Sequence, residues 1–297
     1  MMALLGICTR NNADTIRKQL EIIIAQTCKP DEILFVDSST AETPRIIKEV
    51  LDPTGINYRI IKQEGVGIGD ARQEIFEYAD MDNFDLVIFL DTDRFPVSKE
   101  WLRCHLEFHN KHSQFAIYNG RFVEQDYEPL SPFRDVNYLI QCNCSIKLKY
   151  LREVGGYDRS LIRGEDWDMA VKLFRIGARS FVSSKAAIIV AKPDTTKSFL
   201  KKKLYRPSSV KFLRKYKLWY LKNYPQHFIA DFLGVTNLLS LVSFSLFPQP
   251  AAILYGLSLL AFNAGIYRSN KNIIKDFKVS IVLLPLIYGL SVFKNLP

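Results

Sequence analysis

An α/β fold, a parallel or mixed sheet flanked by helices with a membrane-associated part appended, is what this 297-residue sequence predicts. Three observations carry that expectation. Short apolar runs alternate with amphipathic stretches through the first 190 residues. Charge is segregated: residues 1–191 hold 24 basic and 28 acidic side chains, whereas Lys192 to Lys222 holds 11 basic residues against the single acid Asp194. Beyond this band, Phe228 to Tyr267 is 40 residues with one charge, Asp231. A composition that is 48% hydrophobic and 24% charged excludes a disordered or fibrous chain. The five cysteines are too sparse for a disulfide scaffold, and their odd number without a secretory leader predicts reduced thiols.

The elements follow in order. Strands are expected near Leu4 to Cys8, Glu32 to Val36, Tyr58 to Lys62, Leu86 to Leu90 and Phe115 to Asn119, each a short apolar run bounded by turn or polar residues. Helices are expected near Thr15 to Gln26, Pro44 to Leu51, Ile68 to Tyr78, Lys99 to His109 and Glu165 to Ile176, where apolar residues recur at helical spacing. Together these make a domain over residues 1–191. Residues 192–227 form a second segment, in which Phe199, Leu204, Tyr205, Phe212, Tyr216 and Trp219 are interleaved with lysines and arginines. That mixture suits helices lying on an anionic membrane surface, with Pro207 dividing two pieces. Its direct continuation into an apolar hairpin weighs against nucleic acid as its partner.

Residues 228–297 complete the expected organisation. Phe247-Pro248-Gln249-Pro250 divides the apolar stretch into halves of about 18 to 20 residues, and a bilayer core needs about 20. A third run, Val279 to Phe293, has 15 residues and fits a short tilted span or an interfacial helix. Basic residues before the hairpin and again at Arg268, Lys271, Lys275 and Lys278 place its two ends, and the N-terminal domain, in the cytoplasm. A multi-pass protein of the cell membrane with a cytoplasmic N-terminal domain is the expectation. A buried hairpin of a soluble protein is the competing reading, and it lacks the polar face such helices carry.

In open α/β sheets the ligand lies outside the carboxyl ends of the strands, so polar residues just after strands are the candidates for function. Thr9-Arg10-Asn11 follows the first strand and Asp37-Ser38-Ser39-Thr40 the second. Gly65-Val66-Gly67-Ile68-Gly69-Asp70-Ala71-Arg72 is a Gly-rich turn entering a helix, where backbone donors and Arg72 suit a diphosphate. It fails the G-x-G-x-x-G pattern because position 70 is Asp, which argues against nicotinamide. Leu86 to Leu90 runs directly into Asp91-Thr92-Asp93, two hard carboxylates at a strand end that suit Mg²⁺ or Mn²⁺ shared with substrate phosphates. Further on, Arg163-Gly164-Glu165-Asp166-Trp167-Asp168 opens a helix, where acids complement the dipole. His105, His109 and His112 share a helix face near Cys104, a possible zinc set, but the segment reads more simply as an amphipathic helix packed on the sheet.

The ordered series Thr9-Arg10-Asn11, Asp37-Ser38-Ser39, Gly67-x-Gly69-x-Ala71-Arg72, Asp91-Thr92-Asp93, Gly155-Gly156-Tyr157-Asp158 and Gly164-Glu165-Asp166 resembles that of family-2 inverting glycosyltransferases of the GT-A fold, over residues 3 to 190. The resemblance implies a Rossmann-like nucleotide-sugar-binding domain with a UDP- or GDP-sugar as donor. It makes Thr9, Arg10, Asn11, Asp37, Gly69, Arg72, Asp91, Thr92 and Asp93 donor-binding residues, with Asp93 and Asp91 toward the metal, Mg²⁺ or Mn²⁺. It makes Asp166 the catalytic base beside Glu165, and puts Trp167 and Arg206 near the acceptor or diphosphate.

Two departures stand out: Asp37 is followed by Ser38 where the family often has a second Asp or a Gly, and the Q-x-x-R-W motif of processive synthases is absent. Single-sugar transfer to a lipid-linked acceptor is the expectation, with a polyprenyl phosphate as direct acceptor as its variant. A catalytically silent membrane module and a nucleotidyltransferase are the readings from other classes.

Overall fold

The computed structural model describes residues 1–40, 42–123, 134–136, 139–161, 164–191, 209–223 and 231–236, with single positions 229, 239, 254 and 290. Contacts divide the chain into two compact units, Met1–Pro193 and Asp194–Pro297. In the first unit, the chain order is β1 (Ala3–Thr9), α1 (Ala13–Ile24), β2 (Glu32–Asp37), α2 (Glu42–Leu51), β3 (Tyr58–Lys62), α3 (Ile68–Met81), β4 (Leu86–Leu90), β5 (Arg94–Pro96), α4 (Trp101–Lys111) and β6 (Ile117–Phe122). It continues through β7 (Arg134–Val136), β8 (Asn143–Lys147), α5 (Leu148–Glu153), α6 (Glu165–Arg175) and β9 (Ser180–Val190).

The strands form one mixed sheet in the order β3-β2-β1-β4-β8-β6-β9-β5, with β7 also on β9. Strands β3, β2, β1 and β4 are mutually parallel, β8 runs antiparallel between β4 and β6, and β6 is parallel to β9. Strands β1, β2 and β4 are buried on both faces, as their continuous apolar runs require. Alternation along these strands sorts side chains into two cores. Leu5, Ile7, Ile33, Phe35, Ile88 and Leu90 pack with Ile16, Leu20, Ile46, Trp101 and Phe108 of α1, α2 and α4. Leu4, Leu34, Val36, Val87 and Phe89 pack on the other face with Ala71, Ile75, Leu148, Leu151, Met169 and Leu173 of α3, α5 and α6. The sheet is thus sandwiched between two helical layers.

The five expected strands and five expected helices are present, with ends displaced by up to three residues. Strands β5, β7, β8 and β9 and helix α5 were not expected. Strand β8 is Asn-Cys-Ser-Ile-Lys, too polar to read as an interior strand, yet Asn143 and Ser145 are fully buried. Tertiary partners make this possible. Trp101 Nε1 donates to Asn143 Oδ1 at 2.9 Å and Asn143 Nδ2 donates to the Ala186 carbonyl at 2.9 Å. The Ser145 hydroxyl lies 2.9 Å from both His105 Nδ1 and His109 Nε2. The histidines of α4 therefore serve the interior of the sheet, and among the described residues no group of three His, Cys, Asp or Glu is arranged to hold a metal.

In the second unit, helix α7 (Ser209–Asn223) is broken at Lys217, whose φ of 52° and ψ of −141° are not helical. Phe212, Tyr216 and Tyr220 are buried with their rings stacked, while Arg214, Lys215, Lys217 and Lys222 are exposed. Among the described residues, no helix is long and apolar enough to cross a membrane. The hairpin expected from Phe228 to Tyr267 and the run from Val279 to Phe293 lie almost entirely outside the described residues, as does Arg206.

Candidate active site

The polar residues gather where the parallel strands end. Thr9 closes β1 and Asp37 closes β2 as register partners, and Thr9 Oγ1 donates to Asp37 Oδ1 at 2.5 Å. Ser39 Oγ donates to the same oxygen at 2.7 Å, and the Ser39 amide donates to Oδ2 at 3.2 Å. Asp37 is therefore a buried carboxylate whose orientation is set by three donors. Asn11 takes a left-handed φ of 52°, its amide donates to Ser39 Oγ, and its Oδ1 accepts from the Thr40 amide at 3.2 Å. The β1 and β2 loops are thereby tied into one platform, with Arg10 exposed beside it.

Arg72, in the first turns of α3, is the hub of the site. It is 4% exposed. Its Nη2 donates to Asp91 Oδ1 at 3.0 Å, and its Nη1 donates to Glu165 Oε1 in a short buried ion pair. Burial disfavours the charge on Arg72, but Asp91 and Glu165 outweigh it and hold the guanidinium protonated well above its ordinary range. Burial pushes Glu165 above the ordinary glutamate range; Arg72 pulls it back and the neighbouring Asp166 charge pushes it up. Burial also drives the Cys8 thiol, packed beside this cluster, up to about 12, so it stays protonated.

Gly69 lies one turn before Arg72, and its role here is steric. A Cβ there would sit 2.8 Å from the Leu161 carbonyl and 3.3 Å from Glu165 Cβ. The start of α3 is pressed against the start of α6, which is the approach that lets Arg72 reach Glu165. The Gly65–Gly67 turn is closed by the protein's own groups: the Glu64 and Gly65 amides donate to Glu74, and the Val66 amide to Asp70 Oδ2.

The Asp91-Thr92-Asp93 turn links β4 to β5. Thr92 is buried, whereas the side chains of Asp91 and Asp93 are 33% and 43% exposed. Gln19 of α1 holds the turn from below, its Nε2 donating to the carbonyls of Asp91 at 2.7 Å and Arg94 at 3.0 Å. Arg94 Nη1 pairs with Asp93 Oδ2 at 2.7 Å. Two partly exposed carboxylates, with no group of three possible metal ligands among the described residues, make a donor set for a hard cation completed by substrate phosphates. Glu165 and Asp166 open α6 in opposite senses: Glu165 is buried on Arg72, while Asp166 is exposed, its Oδ1 accepting from the Trp167 amide at 2.7 Å. Trp167 is partly buried beside it.

The structure thus joins Thr9, Asn11 and Asp37 in one bonded group at the ends of β1 and β2, and Arg72, Asp91 and Glu165 in another, with Asp93 on the turn of Asp91 and Asp166 next to Glu165. Sequence reasoning singled out the segment holding Ser39 but missed Gln19 and Arg94 as site residues. Only Arg94 carried a local signal, adjacency to Asp93; Gln19 looked like one more polar position on a helix.

The model of glycosyl transferase family 2 matches residues 5–161. The match ends just before Glu165 and Asp166, which the Arg72 ion pair ties to the matched region. Among solved structures, the 1–349 fragment of TarS from S. aureus in complex with UDP-GlcNAc is 20% identical with a TM-score of 0.55, over 66% of this chain and 60% of that one. The mannosyltransferase PcManGT from Pyrobaculum calidifontis, in complex with GDP-Man and Mn²⁺, is 13% identical with a TM-score of 0.62, over 99% of this chain and 86% of that one. At these identities the likeness is one of fold, and the chain spans 60% of the TarS fragment's length. A comparison with curated proteins finds no match.

Proposed function

This chain belongs to glycosyl transferase family 2, and we propose that it moves a single sugar from a nucleotide-sugar donor to a lipid-linked acceptor at the cytoplasmic face of a membrane. The observation that supports the transferase reading is the Asp91–Arg72–Glu165 ion-paired cluster, which joins the carboxylate at the end of β4 to the first residue of the Glu165–Asp166 pair. The family and the UDP-GlcNAc and GDP-Man complexes of proteins sharing the fold support a nucleotide-sugar donor. The lipid acceptor is supported by the basic, aromatic residues 192–222 followed by the long stretch with the single charge Asp231.

Asp37 and the loop bonded to it face the donor nucleotide, and Asp91 is oriented by Arg72 toward the ribose and diphosphate. A divalent cation on Asp93, Mg²⁺ or Mn²⁺, supplies when bound the positive charge that offsets the departing nucleoside diphosphate. Asp166, exposed at the first turn of α6, takes the proton of an acceptor hydroxyl attacking the anomeric carbon from the face opposite the leaving group. The configuration inverts. Glu165, one residue earlier and locked on Arg72, fixes the rotation of that turn and so the direction of Asp166. An acceptor phosphate would already be anionic, and Asp166 would then orient it rather than deprotonate it.

The test is nucleoside diphosphate release by detergent-purified protein with Mn²⁺ or Mg²⁺ across a panel of nucleotide sugars, with and without a short polyprenyl phosphate or lipid-linked sugar. Lipid-stimulated release that Asp166→Asn abolishes is the expected result. Release that survives the substitution but requires the lipid phosphate selects the direct-phosphate version. Pyrophosphate release from a nucleoside triphosphate would overturn the transferase reading.

A further inference from the structure

The residue after the Asp91-Thr92-Asp93 turn is a cation. Arg94 Nη1 sits 2.7 Å from Asp93 Oδ2 and donates to the Asp93 carbonyl at 3.3 Å. Unlike the exposed surface pair Arg45–Glu49, this arginine is built into the fold, with its side chain 16% exposed. Its guanidinium carbon lies 5.4 Å from the Phe122 ring centroid, the Cys142 thiol is beside it, and its Nε is buried without a hydrogen-bond partner. The backbone is equally constrained: Arg94 pairs with Val190 across β5 and β9, and its carbonyl is held by Gln19. The guanidinium is therefore confined next to the one strand-end carboxylate that no other described residue binds through its side chain.

A confined +1 charge at hydrogen-bond distance from a carboxylate does two things to an incoming divalent cation. It occupies one of the ligand oxygens, and it repels the cation at short range. A nucleoside diphosphate reverses this balance, since its phosphates complete the coordination of the metal and give the guanidinium another anion to face.

We propose that Arg94 is a resident counter-ion of Asp93 that keeps divalent-cation binding weak until a nucleoside diphosphate group arrives, coupling metal occupancy to donor binding. This rests on the reading of Asp93 as a metal ligand. Arg94 is a positioning residue in this role: it acts on the metal through Asp93.

The experiment is titration of the full detergent-purified chain with Mn²⁺, read by electron paramagnetic resonance of the free ion, with and without UDP or GDP. Arg94→Met keeps the stem against Phe122 and removes the charge, while Arg94→Lys keeps a charge. Nucleotide-free Mn²⁺ affinity should rise about fivefold in Arg94→Met, as expected for removing one partly shielded ion pair, and stay near wild type in Arg94→Lys. With nucleotide present the gain should shrink. Unchanged or weaker nucleotide-free affinity in Arg94→Met, with circular dichroism showing a folded chain, would overturn the proposal. Asp93→Asn separates the two levels. If it leaves Mn²⁺ binding unchanged, the metal-ligand reading itself fails; if it abolishes binding while Arg94→Met changes nothing, only the role of Arg94 fails.

Discussion

Arg72 shows how much of this site depends on one side chain. Removing it leaves Asp91 and Glu165 facing each other without the cation that makes their proximity tolerable. Arg72→Met should therefore destabilise the first unit by about 3 to 5 kcal/mol and abolish turnover. Glu165→Gln in that background should recover part of the stability, because one uncompensated carboxylate is gone; chemical denaturation of the four members of the cycle measures the coupling. Asp166→Asn should leave stability within about 0.5 kcal/mol of wild type, since the side chain is exposed, while removing transfer to a hydroxyl acceptor. Of these residues, the sequence showed Asp91 through its place after an apolar run and Glu165 and Asp166 through their place at the start of a helix. It did not show that Arg72 would spend its charge on Asp91 and Glu165: that partnership spans 93 residues and exists only where α3 and α6 meet.

Gly120 and Gly69 are among the glycines at which the elements meet closely. At Gly120 in β6 an added Cβ would fall 1.8 Å from the Ala186 carbonyl and 2.2 Å from Asn143 Nδ2. Gly120→Ala should cost at least about 3 kcal/mol by forcing β6 away from β9, as read by the denaturation midpoint. Gly69→Ala is milder, at about 1 to 3 kcal/mol, but should lower activity disproportionately because it pushes the start of α3 off Leu161 and Glu165. A loss of stability without a larger fractional loss of turnover would show that the approach of α3 to α6 does not matter for catalysis. Strands β1, β2 and β4 were legible because they are apolar on both faces. Strand β8 was not, since its Asn143 and Ser145 are buried only by virtue of Trp101, His105, His109 and Ala186.

For the molecule as a whole, the division after Pro193 predicts that residues 1–193 fold by themselves. That fragment should unfold cooperatively and bind a nucleotide sugar by calorimetry, while transfer to lipid falls; unchanged transfer in membranes would mean the later residues are not needed for acceptor access. Acid sensitivity is also set at this scale. Burial pushes His105 and His109 from 6.5 down to about 3. Below 6.5 the unfolded chain takes up protons that the native chain refuses, so their contribution is full above 6.5 and is lost as pH falls toward about 3. At pH 5 the loss is up to about 2 kcal/mol per histidine, visible as a lower urea midpoint than at pH 7.5. His109→Gln should flatten that pH dependence.

By itself the sequence determined the α/β class, the place of the strand-end carboxylates and the split between a mildly acidic domain and a basic, apolar remainder. Those properties reside in side-chain polarity over a few neighbouring residues, which periodicity reports directly. Only the tertiary structure decided that Arg72 joins Asp91 to Glu165, that Gln19 holds the Asp91–Asp93 turn, and that a polar strand lies inside the sheet. Each of these is a pairing between distant segments, and its free energy depends on which charges and donors the topology removes from water together.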